Sequence, residues 1–364
     1  MITRRHPILF ATAILLASLS SALAGVHYVD VNSTNPTPPY TNWPTAATSI
    51  QDAMDAAVAD DEIVVTNGTY ATGSRVAGPD SAPNRVAVDK PLNVRSVNGP
   101  QSTVIYGNTS SLTPIRCVYL TNGASLSGFT LTNGSTSSSS THGGGVLCES
   151  AGAAVSNCAL TGNFRGGAWY CTLKNCTLSG NSGGGAFYCT LNNCALTGNF
   201  GGGAFSSALN NCIVCFNSGG DTYSSSLNNC WTTDPLFVDQ ASGNLRLQAK
   251  SPCINAGNNS YVTSITDLDG NPRVSGGRVD IGAYEYQWPR LTIALPGVPP
   301  GGVLLTWPTN NAGYDYTGFT LQSTTNLVSP VVWSTNSPAP VVTAGQNTVT
   351  NPITGAQRFY RLVH

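Results

Sequence analysis

Five cysteines recur at intervals of 18 residues: Cys158, Cys176, Cys194, Cys212 and Cys230. Each closes the same short phrase, Val155-Ser-Asn-Cys, Leu173-Lys-Asn-Cys, Leu191-Asn-Asn-Cys, Leu209-Asn-Asn-Cys and Leu227-Asn-Asn-Cys. The preceding Asn157, Asn175, Asn193, Asn211 and Asn229 repeat with them. So do a second asparagine column (Asn163, Asn181, Asn199, Asn217) and an aromatic one (Trp169, Phe187, Phe205, Tyr223). Several columns at one period mean one structural unit laid on itself. A period of 18 is too short for a helical-hairpin repeat, which needs more than about 30 residues.

The unit is also a poor helix. Asn, Gly, Ser and Thr suit turns, and glycine clusters interrupt it at Gly166-Gly167, Gly183 to Gly185 and Gly201 to Gly203. Apolar residues fall two apart at Trp169, Cys171 and Leu173, and at Cys176 and Leu178, which is strand spacing. At roughly 3.3 Å per residue such a unit traces a loop of about 60 Å. That loop closes as a narrow coil of short strands, and coils stack about 4.8 Å apart as parallel strands. The fold class that follows is all-β, a parallel β-helix with 18-residue coils in its regular part, residues 155–230. A left-handed coil of this length needs an aliphatic residue every six positions. Leu191 is followed at that step by Thr197 and Gly203, so a right-handed coil is expected.

In such a coil the cysteines serve as small apolar groups on a ladder of buried thiols, and the asparagines satisfy backbone groups at the bends. With 11 cysteines in the chain, disulfides between stacked coils are the alternative. The direction of the aromatic column stays open. Alternation from Leu173 back to Trp169 points it inward, and one bulge reverses that.

Residues 1–24 read as an export signal: Arg4 and Arg5, an apolar run from Ile8 to Leu19, then Ala22-Leu-Ala24. The run is short for a membrane span, so no integral membrane segment is expected after cleavage, and the protein is expected secreted or at the cell surface. Charged residues make up 9% and the net charge is −1, which gives no footprint for nucleic acid. A strand at His27 to Val31 precedes a helix expected over Ser49 to Ala59, with Ile50, Ala53, Met54, Ala57 and Val58 on one face and Ser49 as N-cap. That helix is expected to cap the open first coil. A Ser/Gly-rich stretch from Gly134 to Gly145 reads as a flexible insertion.

The order Tyr-Val-Asp, helix ending in Ala-Ala, Ile-Val-Val and Gly-Thr-Tyr resembles the start of bacterial exported β-helix proteins of the pectin-lyase-like superfamily. Asp234-Pro-Leu-Phe-Val-Asp239, Ser251-Pro-Cys-Ile-Asn-Ala-Gly257 and Val279-Asp-Ile-Gly-Ala-Tyr-Glu285 resemble the C-terminal closing segment of β-helix proteins with a choice-of-anchor Q domain. The resemblance spans about residues 26–287 and implies a right-handed β-helix domain over 25–287, closed by 234–287. After a hinge at Trp288-Pro-Arg, the alternating runs Leu291–Leu295, Val303–Trp307, Phe319–Leu321, Val331–Trp333 and Arg358–Leu362 read as a small antiparallel β-sandwich over 290–364, similar to fibronectin-III or immunoglobulin modules.

Polysaccharide lyases and glycoside hydrolases share the implied fold, so the enzyme reading is tested on residues. A hydrolase needs paired carboxylates, and a lyase acidic calcium ligands plus a basic residue. Between Cys117 and Cys230 the only charged residues are Glu149, Arg165, Lys174 and Asp221, and they do not cluster in adjacent coils. The expectation is therefore a non-catalytic exported scaffold, adhesive or carbohydrate-binding, without a cofactor. Its glycan candidates are Tyr170 and Tyr188 for stacking on sugar rings and Arg165 and Lys174 for acidic groups. One acidic cluster, Asp267, Asp269, Asp280 and Glu285 with Arg273 and Arg278, resembles a partial calcium loop at Asp267-x-Asp269-Gly270, with ion pairing and turn capping as the plainer reading.

Overall fold

The computed structural model describes residues 24–137, 142–295 and 302–364. Residues 1–23 of the expected export signal and residues 138–141 of the Ser/Gly stretch lie outside them.

The repeats form a right-handed parallel β-helix of three sheets. Face one has nine strands, from Val26–Val29 to Ser226–Asn228. Face two has seven, from Gly68–Tyr70 to Ile213–Cys215. Face three has eight, ending at Thr222–Tyr223, parallel except for Arg75–Val76 at its start. Neighbouring coils pair without slippage: Leu173 lies over Leu191 and then Leu209, and Leu178 over Leu196 and then Val214. These aliphatic side chains fill the interior with the cysteines.

Corners are set by backbone conformation. Asn175 bends face one into face two at φ 50°, Gly180 bends away from face two at φ 62°, and Tyr188 bends face three into the next face one at φ 54°. All three lie in the left-handed region, which Gly and Asn enter at least cost. The inner asparagine column ties the coils together. Asn181 is buried, its Nδ2 donates to Asn199 Oδ1 of the next coil (2.9 Å) and to the Leu160 carbonyl of the previous one (3.0 Å), so one side chain joins three coils. Asn163 and Asn199 repeat the pattern. The column ends on a carboxylate, where Asn217 Nδ2 meets Asp221 Oδ1 at 2.9 Å.

The capping helix runs Ile50–Ala56, shorter than expected, with Ser49 Oγ accepting the Asp52 N–H. Lys90 Nζ takes the carbonyls of Met54 and Ala57 and ends it. Ile50, Ala53, Met54 and Ala57 are buried as expected, but Val58 is 64% exposed because it lies beyond the last helical turn. The ends of the Ser/Gly stretch are not loose: Ser135 and Thr136 are buried, and Gly143 and Gly145 bond the next coil.

The thiol ladder is as expected, and one pair of cysteines lies outside it: Cys148 and Cys171, in adjacent coils, form a disulfide with Cα atoms 5.1 Å apart. Nine remain free, including the whole Cys158 to Cys230 ladder. Residues 234–287 do not close the end of the solenoid. They fold back along its side, packing Phe237, Leu245, Leu268 and Ile281 against Ala195, Ile213 and Cys215 of face two. The corner asparagines receive them: Asn175 Nδ2 bonds the Thr266 carbonyl, Asn193 Nδ2 that of Tyr261 and Asn211 Nδ2 that of Asn258.

The C-terminal residues form a four-stranded and a three-stranded antiparallel sheet around Leu305, Trp307, Leu321 and Val349. The expected run Val331–Trp333 is not a strand; the strand is Ser334–Thr335. Trp288 is no free hinge. Its ring packs edge-on against Tyr286 and Phe319, while the Tyr314 and Tyr316 hydroxyls donate to the carbonyls of Glu285 and Gln287.

Two outcomes follow. Asn199→Ala strands the buried Leu178 carbonyl and the Asn181 amide, and should cost about 1–3 kcal/mol in urea unfolding. Unfolded without reductant, the chain should titrate nine thiols, and the native chain far fewer.

Candidate aromatic face

Alternation across face three is broken by the corner at Tyr170, φ 60°. The turn lets Cys171 and Leu173 point inward while Trp169 points out. The inward partner is the alanine before each ring, and Ala168, Ala186 and Ala204 are fully buried. The aromatic column is thus external. From His142 the rings descend through Trp169, Phe187 and Phe205 with centroids 4.0, 4.6 and 4.6 Å apart, then tilt to Tyr223 at 6.2 Å. They lean over the corner glycines: a Cβ on Gly184 would lie 2.8 Å from the Phe187 ring. Glycine there lets the rings lie down on the backbone.

Tyr170 and Tyr188 form a second, shorter column beside it, with centroids 5.2 Å apart and 24° between planes. This offset stack leaves them 46% and 49% exposed. Both meet Trp169 edge-on. The next residues in that column are Ser206 and Ser224, too short to cover the Tyr188 ring. Tyr170 and Tyr188 hold left-handed backbone, a strained conformation for a bulky residue.

At the other edge of face three stands Arg165, φ 64°, in a column that continues through Gly183, Gly201 and Gly219. Its guanidinium lies 5.6 Å from the Phe164 ring centroid. Its Nε is buried with no acceptor, and no carboxylate among the described residues pairs with it. It lines a cleft of about 210 Å³ with the hydroxyl residues Thr109, Ser111, Ser135 and Ser137. Burial and this guanidinium hold the His142 imidazole below its ordinary pKa. Below His142, the fully buried Arg116 donates to the His142 and Gly143 carbonyls and to Asn84 Oδ1, and pairs with Asp80.

The four glycan candidates therefore do not converge. Arg165 flanks one side of face three, Tyr170 and Tyr188 the other, and Lys174 stands on face one between Ser156 and Asn192. His142 falls within the Gly134 to Gly145 stretch that reads as a flexible insertion, and Arg116 lies one residue before the Cys117–Cys230 span.

The acidic cluster lies in the fold-back segment, not at the end of the solenoid. Asp267 Oδ1 accepts the N–H groups of Asp269 and Asn271, and Oδ2 that of Glu285. Asp280 accepts from the Asn255 and Tyr286 N–H groups, and Asp269 is held by Arg246 at 2.6 and 2.7 Å. Glu285 pairs with the buried Arg273 at 3.0 Å. Burial pushes Asp280 up to about 6 and Glu285 up to about 8. Asp267 and Asp269 are thus surrounded by N–H donors, the opposite of a cation shell. Among the described residues no group of three or more His, Cys, Asp or Glu is placed to hold a metal.

No known family and no curated protein matches the sequence. Among solved structures, the chain is similar to a pectate lyase, Pel9A, with a TM-score of 0.42, 15% identity, and coverage of 73% of this chain and 97% of the other. It is similar to a rhamnogalacturonan lyase with a TM-score of 0.40, 12% identity, and coverage of 58% and 63%. A complex of XylC with xylose follows at 0.26 and 9%, covering 70% and 58%. At scores this low the likenesses carry no argument about activity, and the β-helix stands on its own sheet register. Among the described residues no helix is long and apolar enough to cross a membrane.

Arg165→Gly should stabilise the chain. Relief of left-handed strain is worth about 1–2 kcal/mol and glycine's entropy costs about 0.5–1, so a net gain of about 0.5–1 kcal/mol is expected in urea unfolding.

Proposed function

We propose that this chain is an exported, non-catalytic β-helix protein of the cell surface that binds a polysaccharide along face three. The observation that carries the reading is the outward Tyr170–Tyr188 pair. Two large rings are held half exposed in a backbone conformation that the next coils assign to serine. Burial of the rings would explain such strain in a core, but these rings are not buried. Strain kept at an exposed position points to use. Offset aromatic rings present an apolar face flanked by hydroxyls, the surface on which the C–H side of a sugar ring packs. Successive rings at coil spacing suit an extended polymer more than a single small sugar. Arg165, at the other edge of face three, would favour an acidic group along the polymer, whereas Lys174 on face one lies outside this surface.

A second reading, a polysaccharide lyase or glycoside hydrolase, draws on one observation. The His142 imidazole, its pKa lowered by burial and by the Arg165 guanidinium, stands at the top of the aromatic column and pairs a potential base with a cation.

A panel of plant and algal polysaccharides, read for both binding and released sugars, tests the two together. We expect binding without turnover. Tyr170→Ala and Tyr188→Ala should each weaken it about tenfold, as for an aromatic anchor. Binding that survives the double variant would remove the tyrosine platform from the reading. Released sugar that disappears in His142→Ala would replace the non-catalytic reading with the enzymatic one.

A further inference from the structure

The expected export signal ends at Ala24, and the first strand, Val26–Val29, starts two residues later. Ala24 is exposed and lies outside the sheet, so the Ala24–Gly25 peptide bond is open to a peptidase. Gly25 is already held by the fold. Its carbonyl accepts the Glu62 N–H at 2.8 Å, and its own N–H donates to Asp61 Oδ1 at 2.6 Å. That is shorter than the roughly 2.9–3.0 Å usual for a backbone amide. The residue type permits the approach. A Cβ on Gly25 would lie 3.0 Å from Asp61 Oδ1 and 3.3 Å from its carboxyl carbon, so a side chain there would crowd the carboxylate.

Asp61 is a buried residue, 5% exposed. Its Oδ2 accepts the Val58 N–H at 2.8 Å and meets His27 Nε2 at 3.0 Å, while His27 Nδ1 lies 2.6 Å from the Pro39 carbonyl. Burial alone would raise the Asp61 pKa, but the bonds from Val58, His27 and Gly25 outweigh it and hold the carboxyl below its ordinary value. The anion therefore gathers the segment after the capping helix, the first strand and the residue that precedes that strand. Its two oxygens are not equally served. Oδ2 has two partners, whereas Oδ1 has one among the described residues, the Gly25 nitrogen.

We propose that Asp61 is the docking site for the α-ammonium group created at Gly25 when the Ala24–Gly25 bond is cut, so that maturation locks the start of the solenoid. The cut is a hydrolysis by a leader peptidase. One water adds across the bond, leaving a carboxylate on Ala24 and an ammonium on Gly25. The Gly25 nitrogen need not move, because it already lies within hydrogen-bond distance of Oδ1. Cleavage turns a neutral donor into a cationic one beside an anion, and an amide bond to a carboxylate becomes a partly buried ion pair. His27 and the new ammonium then hold one carboxylate by its two oxygens. In the uncut chain the same nitrogen is an amide and brings no charge to Asp61. This inference rests on the export reading and not on glycan binding.

Two measurements test it. The full chain is produced in a secreting bacterial host, and the mass of the exported product should place Gly25 first. Amide hydrogen exchange at neutral pH then compares that product with a chain three residues longer, beginning at Ala22. The Val58 and Glu62 N–H groups, bonded to Asp61 and Gly25, report opening of the start of the solenoid. Both should exchange about fivefold more slowly in the Gly25 chain, the effect of one ion pair, and the difference should vanish in Asp61→Asn. Acetylating the Gly25 amine removes the charge without changing the sequence. It should give the exchange rates of the longer chain, and it decides the matter if Asp61→Asn fails to fold. A product that keeps its leader overturns the export reading and this proposal with it. A product cut at another bond, equal exchange in the two chains, or a difference that survives acetylation or Asp61→Asn overturns this proposal alone.

Discussion

Coil-to-coil register is the constraint on which this molecule depends. A three-faced coil of 18 residues is too thin to hold a core by itself. Each rung buries its leucine only because an identical rung lies above and below. The buried asparagine column enforces that register. An amide that donates forward to the next amide and backward to a leucine carbonyl tolerates no slip, since a slip would strand polar groups in an apolar interior. The leucines supply the apolar driving force, and the asparagines decide which stacking it stabilises.

The same register makes exceptions visible. At the left-handed corners the repeat places glycine, asparagine or serine, residues that turn there at low cost. Arg165, Tyr170 and Tyr188 occupy such corners instead, and all three border the external aromatic column. Phe216 takes another such corner, after face two. The functional reading rests on face three because there the left-handed tyrosines stand beside a column of stacked rings.

Charge is scarce in the regular coils and concentrated where the chain leaves them. Arg273, Glu285, Asp267 and Asp280 are buried together in the fold-back segment, each carboxylate met by backbone N–H groups. A buried ion pair contributes little net stability but is costly to break from one side, so it specifies one path for a segment with little regular structure. The C-terminal sheets then pack on that segment through Tyr314, Tyr316 and Phe319. The chain reads as a continuous set of contacts from the helical cap to the last strand.

The amino-acid sequence determined the repeating architecture, because a ladder must put like residues at like intervals, and periodicity survives in a linear text. The capping helix was legible through the serine at its start and the spacing of Ile50, Ala53 and Met54, and the C-terminal strands through alternation. Tertiary structure alone decided which way Trp169 and its column face, since one left-handed residue at position 170 inverts the alternation and no propensity announces it. It alone decided that Cys148 pairs with Cys171, which are 23 residues apart in a less regular coil and outside the five-cysteine ladder. It alone sent residues 234–287 along the flank. Local rules act over a few residues, whereas the path of a segment depends on which distant surface offers it matching hydrogen-bond partners. Here those partners were the corner asparagines.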